Sequence, residues 1–416
     1  MRDAISKLSL LVLSIYLIVG NLSRVVPLFS NRDNLSIVEP ILYCFAILNI
    51  LMCNKVLSFV SRYYVFLVLI ITSTLIGMYQ YGIDLSSNLY AVRLICMLLV
   101  GYSYALILNK LFSGDLVKFL KFFVCIYIIN VCAGYLILLL FPDSVELWMT
   151  LKLFGIDFAG DPHQSRFVST YFDPNFFSVI ICIPILLCGE LIDIKRDGRK
   201  KYYAAFLFLI ITCVLTLSRS GLATMVVTLL ILYRSMFKEL IFNFKLSKIL
   251  MYAISSLCLL VVILVIVAPD FVLRYTDRFS NMSADGSALH RLETFEATIN
   301  AIQEDLLFGH GYNYFRYLIH TDPSLTYTTD SSILLLLFCF GLILSLILIG
   351  YLFICMYKKY IHAQNKLSQN IILYVVFCIL FSSWFNELVD YSYWLIPVLI
   401  VVEFTNMNKI TVIKKI

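Results

Sequence analysis

The arginines are the residues in this sequence whose positions most strongly suggest chemistry. Arg219 lies in a very short polar turn between two apolar runs, and Arg93 lies inside an apolar run. Arg166 and Arg291 lie in the two longest polar stretches or at their ends. An arginine in or beside a bilayer is costly unless it is paired or functional, and its planar fork binds phosphate with two hydrogen bonds. Arg93, Arg166, Arg219 and Arg291 are therefore candidate ligands for a phosphate-containing substrate.

Structural interpretations of the same residues stay open. The side chain of Arg219 could have the purely structural role of reaching lipid headgroups. The side chain of Arg93 could instead form an ion pair with Asp84. Asp173 precedes Pro174, and this order is typical of a helix N-cap followed by a first-turn proline. Asn175, directly behind them, is a further candidate substrate ligand.

His310, His320 and Asp330 are the candidate general bases. Four of the five histidines fall in polar stretches that we assign to one face of a membrane, and histidine titrates near neutral pH. His310 stands between two glycines and is followed by Tyr312, whose ring is suited to stacking on a sugar. The sequence contains no metal-ligand spacing, no clustered acidic pair for a divalent ion and no glycine-rich phosphate loop. We therefore expect neither a metal nor a cofactor.

The composition requires that these residues be positioned by membrane helices. The chain has 416 residues, of which 61% are hydrophobic and 14% charged, and its mean hydropathy is +0.91. A soluble domain of this size cannot hide so much apolar surface, whereas a bilayer can. All 12 cysteines fall in apolar runs, where they behave as small hydrophobic residues and do not indicate disulfides.

Apolar runs of about seventeen or more residues predict transmembrane helices. Twelve such runs fall near residues 8–22, 38–54, 62–80, 90–112, 118–141, 174–192, 202–218, 220–236, 247–268, 329–356, 369–386 and 391–405. We expect an all-α polytopic membrane protein in which the whole chain, 1–416, forms a single membrane domain. No internal repeat is visible, which argues against inverted-repeat transporters.

Lysine placement predicts the orientation of these spans. With a cytoplasmic N-terminus, about two thirds of the lysines and arginines, and every lysine except Lys152, fall on the inner side. The positive-inside rule then puts both termini in the cytoplasm. The net charge of +6 follows from this topology and does not indicate nucleic-acid binding.

Two long loops, 142–173 and 269–328, fall on the predicted outer side. Long loops without a regular hydrophobic pattern are often binding or catalytic segments. The larger one is expected to contain an amphipathic helix over about 287–308, with Arg291 at the edge of its apolar stripe. A helix N-terminus beside that arginine favours a bound anion.

Three motifs together resemble the O-antigen polymerase (Wzy) family, which is related to the O-antigen ligase (WaaL-like) superfamily. They are Ser218-Arg219-Ser220-Gly221 after a span, an arginine followed by Phe172-Asp173-Pro174-Asn175, and Arg291 with Phe308-Gly309-His310-Gly311-Tyr312 and Asp330-Ser331-Ser332 downstream. The resemblance covers residues of about 160–350, and the motifs share an order and one predicted face.

The resemblance implies a C-type glycosyltransferase architecture and a metal-independent enzyme of the bacterial inner membrane. Its substrate would be an oligosaccharide linked to undecaprenyl pyrophosphate, and its partners would be membrane lipid and a chain-length regulator protein. Arg219 and Arg291, helped by Arg166 and Arg93, would bind the pyrophosphate, and His310, His320 or Asp330 would act as the base. A ligase, or another surface-polysaccharide polymerase of the superfamily, remains an alternative, and a lipid-linked oligosaccharide flippase is an alternative of another class.

Overall fold

The structure, a computed structural model, describes residues 2–25, 38–142, 144–153, 166–194, 198–235, 286–319, 325, 329–363 and 365–407. Within these ranges the chain forms α-helices and short 3-10 turns, with no strand. The α-helices are α1 (Arg2–Val19), α2 (Val38–Met52), α3 (Val56–Tyr81), α4 (Leu85–Leu111), α5 (Leu116–Leu140), α6 (Ser144–Leu153), α7 (Pro174–Ile180), α8 (Cys182–Ile194), α9 (Arg199–Leu215), α10 (Arg219–Leu232), α11 (Gly286–Glu304), α12 (Phe315–Leu318), α13 (Ser332–Ile361), α14 (Lys366–Leu380) and α15 (Ser392–Met407).

Helices form over eleven of the twelve predicted spans, and the run 247–268 lies outside the described residues. Seven helical segments of the described chain are long and apolar enough to cross a membrane; they are Asp3–Ser23, Val56–Tyr81, Leu85–Leu111, Leu116–Leu140, Pro174–Ile194, Ser332–Ile361 and Lys366–Trp384. Three shorter apolar helices, α2, α10 and α15, accompany them. The prediction of an all-α polytopic membrane protein is confirmed.

Local capping explains where several helices begin. Asp84 accepts a hydrogen bond from the Ser87 amide at the start of α4, and Asp115 accepts two amide bonds at the start of α5. Asn365 caps α14 in the same way. Each cap satisfies backbone donors that a helix leaves free in its first turn. Asp84 therefore has a capping role and is not the partner of Arg93.

Two close helix crossings define the packing of the bundle. α4 packs along α15, and a Cβ placed at Gly101 would lie 2.4 Å from the Leu399 Cβ. In the other half, α7 and α8 form a nearly fully buried pair against α5, α9 and α10. Glycine at such a crossing lets two helix backbones approach each other closely.

The helix termini divide the bundle into two ends. We call the end that holds the α3–α4 connection, the α9–α10 turn and the start of α13 the site end, and the opposite end the far end. Ion pairs at the far end join Lys110 to Asp3 at 2.7 Å and Arg62 to Glu403 at 2.6 Å. The arginines singled out in the sequence lie instead at the site end.

A break in α13 anchors the segment that follows α11. Gly341 interrupts α13 with φ of +62°, a left-handed value that favours glycine. The amides of Leu342 and Ile343 donate to the carbonyls of Leu306 and Leu307, at 2.8 and 3.2 Å. Backbone groups freed by the break are thereby paired, as burial requires. This segment is fixed to the membrane domain by backbone contacts.

Candidate active site

Arg166 ties the start of α7 to the end of α9. Its Nε donates to the Thr216 carbonyl at 2.8 Å, and its Nη2 donates to the Asn175 Oδ1 at 2.9 Å. Only 5% of Arg166 is exposed. Charge-assisted hydrogen bonds of this kind are short and strong. Arg166 and Asn175, both predicted as substrate ligands, are therefore held against each other beside the α9–α10 turn.

Asp173 caps α7 as the sequence order suggests. Its carboxylate accepts hydrogen bonds from the amides of Asn175 and Phe176, at 2.7 and 3.1 Å. Burial raises the pKa of Asp173, while those two amides and the charges of Arg166 and Arg291 oppose the rise. Both arginines therefore act electrostatically on this one carboxylate, Arg291 more weakly than Arg166.

The α9–α10 turn presents Arg219 at a helix N-terminus. Arg219 is the first residue of α10, and Ser218 caps that helix by accepting from the Gly221 amide at 3.2 Å. A Cβ at Gly221 would lie 1.9 Å from the Ser178 Oγ, so glycine is needed where α10 crosses α7. Free amides and the helix dipole at such a terminus favour a bound anion. The Ser-Arg-Ser-Gly turn is therefore suited to phosphate oxygens.

Arg291 lies on the protein-facing side of α11. Thr294 and Thr298, three and seven positions further along, are buried, so Arg291 shares their face. Leu289, Leu292, Ile299 and Leu306 of the predicted apolar stripe are exposed, whereas Ile302 is buried and Phe295 is half-buried. The buried face of α11, which packs against α13, therefore combines two threonines with apolar residues.

His310 is fully engaged by its neighbours. It is 2% exposed, its Nε2 lies 2.7 Å from the Ala301 carbonyl, and its Nδ1 contacts the Tyr81 hydroxyl. A carbonyl can only accept, so Nε2 carries the proton and Nδ1 accepts from Tyr81. The ring also stacks on Phe338, with centroids 4.5 Å apart. This geometry favours a packing role for His310 and leaves no ring nitrogen for an acceptor hydroxyl.

Arg93 lies in a buried ionic network. It donates to both carboxylate oxygens of Glu39, at 3.1 and 3.2 Å, and to the Asp390 carbonyl at 3.1 Å. The Asp390 carboxylate lies 3.7 Å from Arg93 and accepts from the Tyr312 hydroxyl at 3.2 Å. Arg93 and Tyr312, both predicted as substrate ligands, therefore meet on Asp390, and the partner of Arg93 is Glu39 instead of Asp84.

The start of α13 meets the segment that joins α14 to α15. Ser331 caps α13 and donates its hydroxyl hydrogen to the Ser383 carbonyl at 3.1 Å. The Ser332 hydroxyl donates to the Asn386 carbonyl and accepts from the Val389 amide, each at 3.1 Å. Asp330, directly before them, has a positive φ of 50°. Asp330 is thereby placed beside this joining segment, which we call the 385–391 linker.

Glu387 in the 385–391 linker was missed by the sequence reasoning. Its Oε1 accepts hydrogen bonds from the Thr329 amide and hydroxyl, at 2.5 and 2.6 Å. Burial, then the charges of Asp390 and Asp330, raise the pKa of Glu387 to about 7, against the two bonds from Thr329. In the sequence, Glu387 is recognisable only as a carboxylate between the last two predicted spans. No motif around it indicated a functional site.

The linker brings Glu387 next to the Ser-Arg-Ser-Gly turn through a contact of Asn386. Asn386 donates from its side-chain amide to the Ser220 Oγ at 3.4 Å, and Ser220 follows Arg219. The site end thus combines Arg166, which precedes α7, Arg219 at the start of α10 and Arg291 on α11 with carboxylates on the linker and before α13. His320 lies outside the described residues. In the part of the chain that the structure describes, no three His, Cys, Asp or Glu side chains are grouped to hold a metal ion.

Comparison with known proteins identifies the family of the central region. Residues 204–349 match the family model described as O-antigen ligase (Wzy_C), and this segment covers about a third of the chain. Arg219, Arg291, His310 and Asp330 lie inside the matched segment, whereas Arg166 and Glu387 lie outside it. No curated protein matches the chain. The match agrees with the resemblance found in the motifs and supports membership of the superfamily of O-antigen ligases and polymerases, a superfamily that implies an enzyme of the glycosyl-transfer type.

Proposed function

We propose that this chain is a polymerase that joins undecaprenyl-pyrophosphate-linked oligosaccharide repeats at the periplasmic face of the inner membrane. The observation that carries the proposal is the placement of Arg166 and Arg219 at the α9–α10 turn beside the start of α7, where Arg291 acts on the Asp173 carboxylate. The far end then faces the cytoplasm, in agreement with the positive-inside rule. Superfamily membership supports the reaction class but leaves the polymerase and ligase roles open.

The reaction assigns a physical task to each part of the site. Undecaprenyl pyrophosphate is the leaving group, and negative charge develops on it as the glycosidic bond to the donor sugar breaks. Arg219 and Arg291 stabilise that charge, and the α10 N-terminus adds its partial positive charge. Arg166 holds the turn that carries Arg219 in place. A base must remove the proton from one hydroxyl of the acceptor sugar as that oxygen attacks.

Polymerisation, and not ligation, is the role we assign because two long outer loops with arginines suit a site that uses two lipid-linked glycan chains. A chain-length regulator is proposed as a further partner. A flippase needs charges along a central cavity. The charged clusters of the described residues lie instead at the two ends of the bundle.

A deletion strain separates these functions, in a host that makes lipopolysaccharide. A polymerase deletion leaves ligation intact, so we expect lipid A-core with a single repeat and no ladder on gels. A flippase deletion gives bare core because no donor reaches the periplasm. A ligase deletion also gives bare core, but long polymer accumulates on the undecaprenyl carrier. Bare core that is corrected by this chain alone contradicts the polymerase assignment.

A further inference from the structure

Glycosyl transfer at this site needs a proton acceptor, and the geometry excludes several candidates. Both nitrogens of His310 are occupied by Ala301 and Tyr81. Asp173 is occupied by two amides of the α7 first turn. Asp390 pairs with Arg93 and accepts from Tyr312. Among the described acidic residues beside the start of α13, Asp330 and Glu387 are the other two candidates.

Glu387 is oriented more firmly than a surface carboxylate. Thr329 holds its Oε1 with two hydrogen bonds, whereas its Oε2 has no hydrogen-bond partner among the described residues. Ser332 fixes the linker on both sides of Glu387 through the Asn386 carbonyl and the Val389 amide. One oxygen is therefore used for orientation, and no hydrogen bond among the described residues uses the other. A positioned base of this kind meets the geometric requirement for proton transfer.

A neighbour of Glu387 contacts the turn that carries Arg219. Asn386, its neighbour, contacts Ser220 in the Ser-Arg-Ser-Gly turn. The base therefore lies on the segment that borders the proposed pyrophosphate site. In the transfer, the base and the leaving-group site must both be close to the sugar carbon that is attacked.

We infer that Glu387 is the catalytic base that removes the proton from the acceptor hydroxyl, an assignment that rests on the proposed glycosyl transfer. The acceptor O–H bond breaks and its proton moves to Glu387 Oε2. The acceptor oxygen forms the new bond to the donor's anomeric carbon. The bond from that carbon to the pyrophosphate oxygen breaks, and its electron pair leaves with undecaprenyl pyrophosphate. Release of the proton to water restores the carboxylate.

The surrounding charges suit this role. Asp390 on the linker and Asp330 before α13 are the like charges that, after burial, raise the pKa of Glu387 to about 7. Burial raises the pKa of Asp390, while the charges of Arg93 on α4 and Arg316 on α12 oppose the rise and favour its charged form. A base with a pKa near the working pH combines a large deprotonated fraction with a strong affinity for the proton. Transfer should therefore rise with pH and reach half its maximum near pH 7.

The test uses purified full-length protein in nanodiscs and lipid-linked oligosaccharide extracted from the deletion strain of the host. Glu387→Gln keeps an oxygen that accepts from Thr329, so the fold should persist while the base is lost. We expect the rate of transfer to fall roughly 100- to 10,000-fold, with little change in KM. Glu190→Gln is the matched control at the far end, where we expect wild-type transfer.

The pH dependence tests the same inference without changing Glu387. Asp390→Asn removes a like charge, so the acidic limb of the rate profile should move to lower pH. Full activity in Glu387→Gln, or an acidic limb that is the same in wild type and Asp390→Asn, would overturn the assignment. Loss of transfer in Asp330→Asn, with an active Glu387→Gln, would assign the base to Asp330.

The proposed function fails in a different way. A wild-type protein that transfers nothing at any pH, with the same lipid-linked oligosaccharide, contradicts glycosyl transfer itself. A wild-type protein that transfers, together with an inactive Arg219→Ala and an active Glu387→Gln, leaves the proposed function intact and rejects only the base.

Discussion

Replacement of Arg166 by lysine tests whether this residue positions the site. The guanidinium spans from the Thr216 carbonyl to the Asn175 side chain, with bonds of 2.8 and 2.9 Å. A lysine ammonium keeps the charge, but it lacks the planar fork that serves both partners at once. We therefore expect Arg166→Lys to lose one of the two charge-assisted bonds.

The expected fall in the rate of transfer follows from the free energy of one such hydrogen bond. A hydrogen bond from a charged group contributes about 1.5–3 kcal/mol, and the site is buried enough for that range to apply. If the same free energy separates the active placement of Arg219 from a relaxed one, transfer falls roughly 10- to 150-fold. Arg166→Ala loses both bonds and leaves the buried Thr216 carbonyl unpaired, so it should also lower the amount of folded protein.

The assay measures conversion of lipid-linked repeats to longer chains, normalised to the amount of protein in the membrane. Arg199→Lys, at the exposed far end of α9, is the matched control and should show wild-type transfer. Arg166→Lys and Asn175→Ala share one bond, so their effects on the rate should be less than additive in the double variant. Wild-type transfer by Arg166→Lys, or fully additive effects with Asn175→Ala, would refute the positioning role.

Four further predictions address the site, the topology and the fold. Arg219→Ala and Arg291→Ala should each abolish polymer at normal protein levels. Lysine at either position should restore little polymer, because it cannot bind phosphate bidentately. Wild-type polymer length on gels from Arg219→Ala would remove that residue from the site. Glu296→Cys on α11 should react with a membrane-impermeant thiol reagent in whole cells above the wild-type background and Lys200→Cys on α9 should not; the reverse pattern would invert the orientation. Transfer by the purified protein should continue in a chelator, and activity that returns only when a divalent ion is added would argue for a metal. Gly341→Ala places a Cβ 2.5 Å from the Gly309 amide nitrogen and from the Leu307 carbonyl oxygen, at a residue with a positive φ. The yield and the thermal stability of the folded protein should therefore fall, and the backbone strain alone should cost about 1–3 kcal/mol of folding free energy. Gly350→Ala, where a Cβ meets nothing within 4 Å, is the matched control.

Several features of this protein could be predicted from the sequence because their causes are local. Apolar run length indicates the spans, since the bilayer sets the length of helix needed to cross it. The capping roles of Asp173 and Ser218 depend on residues two or three positions away, so the sequence order already indicates them. The same holds for the Ser-Arg-Ser-Gly turn, whose arginine must lie at a membrane boundary wherever the remaining helices pack.

Only the tertiary structure decided the partners of the candidate site residues. Arg93 pairs with Glu39, 54 positions away, and His310 is enclosed by Tyr81 and Ala301. Glu387 joins the site through Thr329, and no spacing in the sequence relates these two residues. Such pairings depend on which helix ends meet in the folded bundle, whereas periodicity and composition report only the neighbours along one helix. The Ser-Arg-Ser-Gly turn could therefore be recognised from the sequence, but the place of Glu387 in the same site could not.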